Sequence, residues 1–329
     1  MRDLSEIYDS LSSPQGSGDL YAARRLDDRP NYHVARDSSG NPSLLISSAP
    51  AEAPAPPPVE LRNLSFRPRC ACRIVQSDGS VRTESLAVLK CVSDDAVLRD
   101  YFVRVLAGTL RSLPSTPEEH EISRAVRRLA ELFRALDAPP RGSLQGIWCE
   151  LLLIARADRV RQAVAAWHAD PAARHDFLAG RQRLEVKSTT GRIRAHHFSL
   201  EQLRTGEDAQ VIVMSFLLEE DPQGLSIREL WSAVAERPEL TDDGRDRVAH
   251  VLALSLGRDW HEATTTRFNA DHAWENLRVY DAALVPCVSP DLPVGVDEVR
   301  FRAELTDVPH LSRAAVAQRG GLLAAMLSR

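Results

Sequence analysis

Lysine is nearly missing from this chain of 329 residues. Of its 41 basic residues only Lys90 and Lys187 are lysine, and the other 39 are arginine. Long hydrophobic runs are missing too. No apolar stretch approaches the roughly 18–20 residues of a membrane span, which excludes a spanning helix. The first residues, Met1-Arg2-Asp3-Leu4-Ser5-Glu6, are polar and acidic and lack the apolar core of a signal peptide, so a cytoplasmic location and no membrane partner are expected. The five cysteines are few, odd in number and form no Cys-x-x-Cys pair, which argues against a disulfide framework or a zinc ribbon. Excess positive charge is also lacking: the formal net charge of -5 excludes coating of nucleic acid by bulk charge. What is present is ample apolar material, 43% of residues, in a chain longer than one typical domain.

The patterning suggests three parts. Residues 1–113 read as a β-rich domain, with a hairpin at Tyr32–Ala35 and Ser43–Ile46, a proline-dense loop at 50–58, and strands at Val59–Ile74 and Val81–Val92. Helices follow at Ala96–Leu113 and Thr116–Leu136, the second ended by Pro139-Pro140. Residues 114–222 hold the most informative block. A helix is expected over Ser143–Trp167, strands near His175–Leu178, Leu184–Ser188 and Ala195–Phe198, a short helix after Ser199, and an apolar strand over Gln210–Leu218. Residues 223–329 read as a C-terminal mixed α/β domain, with helices at Ser226–Glu236 and Asp242–Leu256 and strands at Val279–Val288 and Glu298–Leu305.

The central block carries the chemistry. Strand side chains alternate, so Glu185 and Lys187 share one face while Val186 points to the other. A turn at Ala179-Gly180 returns the chain and sets Asp176 beside Glu185. Two carboxylates and one lysine suit Mg²⁺ against a phosphodiester, because magnesium uses one or two carboxylates together with water and phosphate oxygens. Glu150 lies on the preceding helix among Ile147, Leu151, Leu153 and Ile154, and a carboxylate beside such a stripe needs a partner if it is buried.

The pattern Glu150, Asp176, Glu185-Val186-Lys187 on an α-β-β-β-α-β order resembles the PD-(D/E)XK nuclease superfamily, the restriction-endonuclease-like fold. Three segments are similar to uncharacterised PD-(D/E)XK proteins of prokaryotic restriction-modification and phage-defence gene clusters. They are Gly146–Leu151, His175-Asp176-Phe177 with Glu185–Thr189, and His197–Leu203. The resemblance implies Mg²⁺, with Mn²⁺ as a substitute, bound by Asp176, Glu185 and Glu150. It implies Lys187 as the catalytic lysine and Gln202 beside the active site. It also implies DNA as substrate, and ATPase/helicase-like and methyltransferase subunits as partners. His175 stands where the superfamily's name-giving motif has proline.

Residues 141–205 hold eleven basic and six acidic side chains, a basic centre between acidic flanks. Arg192, Arg194 and His197 are the candidate DNA contacts. Ser199-Leu200-Glu201-Gln202 also fits a capping box, so Gln202 has a structural as well as a functional reading. Lys90, with no carboxylate pattern near it, reads as a surface residue, and Trp148 and Trp167 read as core anchors. Together these readings give an α/β (α+β) protein that hydrolyses DNA phosphodiesters as the nuclease subunit of a defence system. Two alternatives stay open: a catalytically idle DNA-binding or scaffolding subunit, and a standalone site-specific restriction enzyme. A homodimer is compatible with each.

Overall fold

The computed structural model describes residues 4–16, 18–48, 55–75, 79–168, 173–204, 209–288 and 292–327. They fall into two compact units, Met1–Asp137 and Ala138–Arg329.

The first unit contains helix α1 (Leu4–Asp9), strands β1 (Leu20–Leu26), β2 (Arg29–Asp37), β3 (Pro42–Ile46), β4 (Val59–Glu60), β5 (Leu64–Val75) and β6 (Val81–Cys91), and helices α2 (Ala96–Ser112) and α3 (Glu119–Asp137). The sheet order is β1-β2-β3-β6-β5-β4, and β1 also pairs in parallel with β5. The β1–β5 pairing therefore closes the sheet on itself and leaves the two-residue β4 at its edge, a short edge that gives little for another strand to pair with. Tyr21, Ala35, Leu45, Cys72, Ile74, Leu86 and Val88 form its buried core. The expected β2–β3 hairpin is present, with Val34 opposite Leu44. The strand expected over Val59–Ile74 is instead β4 and β5, paired antiparallel. Of the proline-dense loop, residues 50–54 lie outside the described residues. Lys90 is not a simple surface residue: its Nζ lies 3.2 Å from Oδ2 of the buried Asp37.

The second unit contains helices α4 (Leu144–Arg156) and α5 (Val160–Ala166), strands β7 (Phe177–Ala179), β8 (Gln182–Thr189) and β9 (Ala195–Ser199), helix α6 (Leu200–Leu203) and strands β10 (Gln210–Leu217) and β11 (Glu220–Ser226). Helices α7 (Ile227–Ala235), α8 (Asp242–Leu256) and α9 (Trp260–Thr265), strand β12 (Arg267–Phe268), helix α10 (Ala270–Glu275), strands β13 (Arg278–Asp281) and β14 (Arg300–Glu304), and helices α11 (Arg313–Arg319) and α12 (Gly321–Leu327) complete it. The single helix expected over Ser143–Trp167 is two helices. Ala157 leaves α4 with extended backbone, and α5 starts only at Val160.

The central sheet has the order β13-β10-β8-β7. β8 and β10 run parallel, with Glu185 opposite Val213 and Lys187 opposite Ser215. β10 is buried over Val211–Phe216, the near-continuous apolar run of a strand covered on both faces. β7 and β8 form a tight hairpin, with Phe177 opposite Leu184. Gly180 takes a φ of +54° at its turn, a conformation that costs glycine little. Every residue of α4 from Ile147 to Ile154 is buried, Glu150 included, so this helix is enclosed rather than amphipathic.

The expected boundaries after residues 113 and 222 do not coincide with this division. α3 belongs to the first unit, and no break follows β10. The reason is strand pairing. β13 adds antiparallel to β10, and β14 pairs with β9, so the C-terminal segment completes the sheets of the central block. The C-terminal end is tied in the same way: Oε1 of Gln182 in β8 accepts from Leu323 N at 3.1 Å.

Candidate active site

Glu150, Asp176, Glu185, Lys187 and Gln202 converge at one end of the β7–β8 hairpin. Asp176 immediately precedes β7, and its Oδ2 accepts from the backbone N–H of Val186 at 2.7 Å. That bond holds the aspartate against the strand carrying Glu185 and Lys187. Glu185 is 3% exposed. Its Oε1 lies 2.6 Å from Lys187 Nζ and accepts from Gln202 Nε2 at 2.7 Å. Its Oε2 is buried without a hydrogen-bond partner among the described residues. Lys187 Nζ also lies 3.4 Å from Gln202 Oε1 and 5.1 Å from the centre of the Phe198 ring.

Gln202 makes two sets of contacts. It closes the capping box of α6 with Ser199, and its carboxamide reaches the carboxylate and the lysine. The short helix thereby sets the side chain's direction from its own start.

Glu150 accepts a 2.6 Å hydrogen bond from the indole Nε1 of Trp167. Trp167 reaches it because it bridges to Phe177 at the start of β7 and His168 N donates to Asp176 O at 3.0 Å. Trp167 is a core residue, as expected, but its role toward Glu150 was missed. Seventeen residues of separation and a helix break leave no sequence signal for that contact. Phe198 was missed as the apolar floor under Lys187, although its alternation with the neighbouring histidines on β9 places it inward.

Burial dominates the electrostatics of these carboxyls. Burial, reinforced by Asp176, pushes the Glu185 carboxyl up to about 8. Burial raises Glu150 well above the usual carboxylate range, with the charge of Asp176 adding to it, and burial also raises Asp176. Burial thus disfavours ionisation of all three carboxyls, and a nearby positive charge would favour it. Among the described residues, no group of three or more His, Cys, Asp or Glu side chains could hold a metal ion, so Asp176, Glu185 and Glu150 do not stand together as the expected three-carboxylate ligand set. A magnesium ion does not require one, since it keeps waters and takes only one or two carboxylates. The unpartnered Glu185 Oε2 and the neighbouring Asp176 fit that demand. Of the candidate residues, Glu150 and Asp176 line a cleft of about 190 Å³ together with Arg141, His168, His175 and Ser255.

The candidate DNA contacts divide. Arg192 and His197 are exposed. Arg194 is not a surface contact: it is 3% exposed, and it donates to Ser215 O at 2.6 Å, to Ser215 Oγ at 3.0 Å and to Asn276 O. The backbone at Arg194 pairs with Thr306 and Leu305, which turns its side chain inward across β10. His196 is likewise buried, with Nε2 2.7 Å from Ser215 Oγ, and burial lowers its pKa to about 4.

A mixed sheet in the element order α-β-β-β-α-β, with the first helix split into α4 and α5 and an acid-acid-lysine set at one hairpin, defines a PD-(D/E)XK-type protein. The chain belongs to the family described as "Putative PD-(D/E)XK family member, (DUF4420)", which matches residues 4–306. No curated protein and no solved structure matches it. Among the described residues, no helix is long and apolar enough to cross a membrane.

Proposed function

We propose that the protein is a divalent-metal-dependent DNA endonuclease, serving as the nuclease subunit of a restriction-modification-like phage-defence system. The observation that carries the metal-dependent chemistry is Glu185 Oε2, a buried carboxylate oxygen with no hydrogen-bond partner among the described residues, beside Asp176 and Lys187. Leaving such an atom unpaired is costly, and a bound cation removes the cost.

Asp176 and Glu185 would hold the ion, Mg²⁺ or Mn²⁺, with Glu150 as the third carboxylate of the site. When bound, the ion polarises a phosphoryl oxygen and acidifies a water. The chain's own residues supply the rest. Val186 N–H fixes Asp176, and Gln202 fixes Glu185. Lys187, a compact cation held by Glu185 and the Phe198 ring, stands ready to offset charge developing on the phosphate. Trp167 keeps Glu150 in one orientation. Arg141 at the cleft and Arg192 and His197 on the exposed surface would meet phosphates of the nucleic-acid backbone. The defence context and its ATPase/helicase-like and methyltransferase partners rest on the family resemblance.

The test is cleavage of varied DNA substrates by the purified protein with Mg²⁺ or Mn²⁺, with and without the products of its neighbouring genes. Glu185→Ala and Lys187→Ala are each expected to abolish cleavage while the circular-dichroism spectrum and DNA binding persist. Intact DNA under every condition with the wild type, or full activity in Glu185→Ala, would refute the proposal.

A further inference from the structure

The helix that carries Gln202 is four residues long, too short to hold itself by backbone hydrogen bonds alone. Its start is fixed by the Ser199–Gln202 capping box, and Leu200 N donates to Val299 O at 2.8 Å. Carbonyls at the end of a helix take their donors from outside it. Gln202 O receives one from His175, whose Nε2 lies 2.9 Å away. A carbonyl only accepts, so Nε2 carries the hydrogen and donates it. The half-buried His175 side chain thus spans from the residue before Asp176 to the backbone of Gln202, whose own side chain spans back to Glu185 and Lys187.

We infer that His175 is a positioning residue: it fixes the backbone of Gln202 and thereby aims the carboxamide that holds Glu185 Oε1 and approaches Lys187. Proline, the residue for which the motif is named, has no side-chain N–H and could not make this bond. The contacts stand on the geometry alone, and only the consequence for catalysis rests on the nuclease reading.

Four variants test the inference: His175→Ala, His175→Gln, Gln202→Ala and the double variant His175→Ala/Gln202→Ala. Glutamine keeps an N–H at the reach of Nε2. In ¹⁵N-resolved NMR spectra, the Gln202 carboxamide is identified by its loss in Gln202→Ala. Its resonances are expected to move toward those of a free carboxamide in His175→Ala and to stay in His175→Gln. In single-turnover cleavage with Mg²⁺, His175→Ala is expected to be about 10–100-fold slower, the usual loss when an outer partner of a metal site is removed. His175→Gln is expected to keep the wild-type rate. The double variant is expected to be no slower than Gln202→Ala, because the two residues act through one path. Should His175→Ala fail to fold, His175→Asn, whose N–H stands near the position of Nδ1 rather than Nε2, is expected to show the same losses. Unmoved Gln202 resonances in His175→Ala or His175→Asn, or losses that add in the double variant, overturn the inference. If the wild type cleaves nothing, the nuclease reading falls while the NMR comparison still decides the role of His175.

Discussion

Glu185 stands in surroundings far from those of an ordinary glutamate. In the metal-free folded chain its carboxyl keeps a proton up to about pH 8, against an ordinary value of 4.5. Between those values the folded state holds a proton that the unfolded state has released, so stability falls as pH rises. The buried histidines act with the opposite sign, but only at lower pH: His196, lowered to about 4 from 6.5, has completed its contribution above pH 6.5. The histidines are common to the wild type and Glu185→Gln, so the difference between the two proteins isolates Glu185. The melting temperature of the metal-free protein is expected to fall between pH 6.5 and 8, and that of Glu185→Gln to fall less. Parallel melting curves for the two proteins would show that Glu185 is not buried as described. Spacing and alternation made Asp176, Glu185 and Lys187 legible in the sequence. Arg194 was not, because nothing in Gly191-Arg192-Ile193-Arg194 distinguishes an arginine facing water from one turned beneath a strand.

At the level of elements, Arg194 connects three pieces. It lies just before β9, hydrogen-bonds Ser215 within β10, and donates to the carbonyl of Asn276, which ends α10. Arg194→Ala strips donors from buried carbonyls, and each buried polar atom left unpaired costs about 1–3 kcal/mol. The variant is expected to lose at least that much stability in urea unfolding. Arg192→Ala, at an exposed position, is expected to leave the unfolding midpoint unchanged. Equal stability of the two variants would return Arg194 to the list of surface contacts. Element type was largely legible: β2, β3, β8, β10, α3, α7 and α8 stand close to where periodicity and capping residues place them. The break of α4 from α5 was not, because Ala157-Asp158-Arg159 contains neither proline nor glycine. That break turns α5 so that Trp167 meets Glu150.

At the scale of the whole molecule, the chain divides after Asp137, and the catalytic candidates share a unit with the C-terminal strands. A fragment spanning residues 138–329 is expected to fold cooperatively, as judged by circular dichroism and urea unfolding. A fragment spanning 114–222, the domain suggested by composition, is expected to be unfolded or aggregated. It lacks β13 and β14, which leaves an apolar edge on β10 and no partner for β9. Cooperative folding of 114–222 would show that these pairings are dispensable. The sequence by itself determined the order of elements, the acid-acid-lysine set and the family resemblance, because these depend on local periodicity and on spacings within one hairpin. Tertiary structure alone decided which arginine is buried, that Trp167 holds Glu150, that His175 holds Gln202, and that the C-terminal strands complete the central sheets. Each of those is a pairing between distant segments, and such pairings are set by how whole strands and helices pack rather than by the residues on either side.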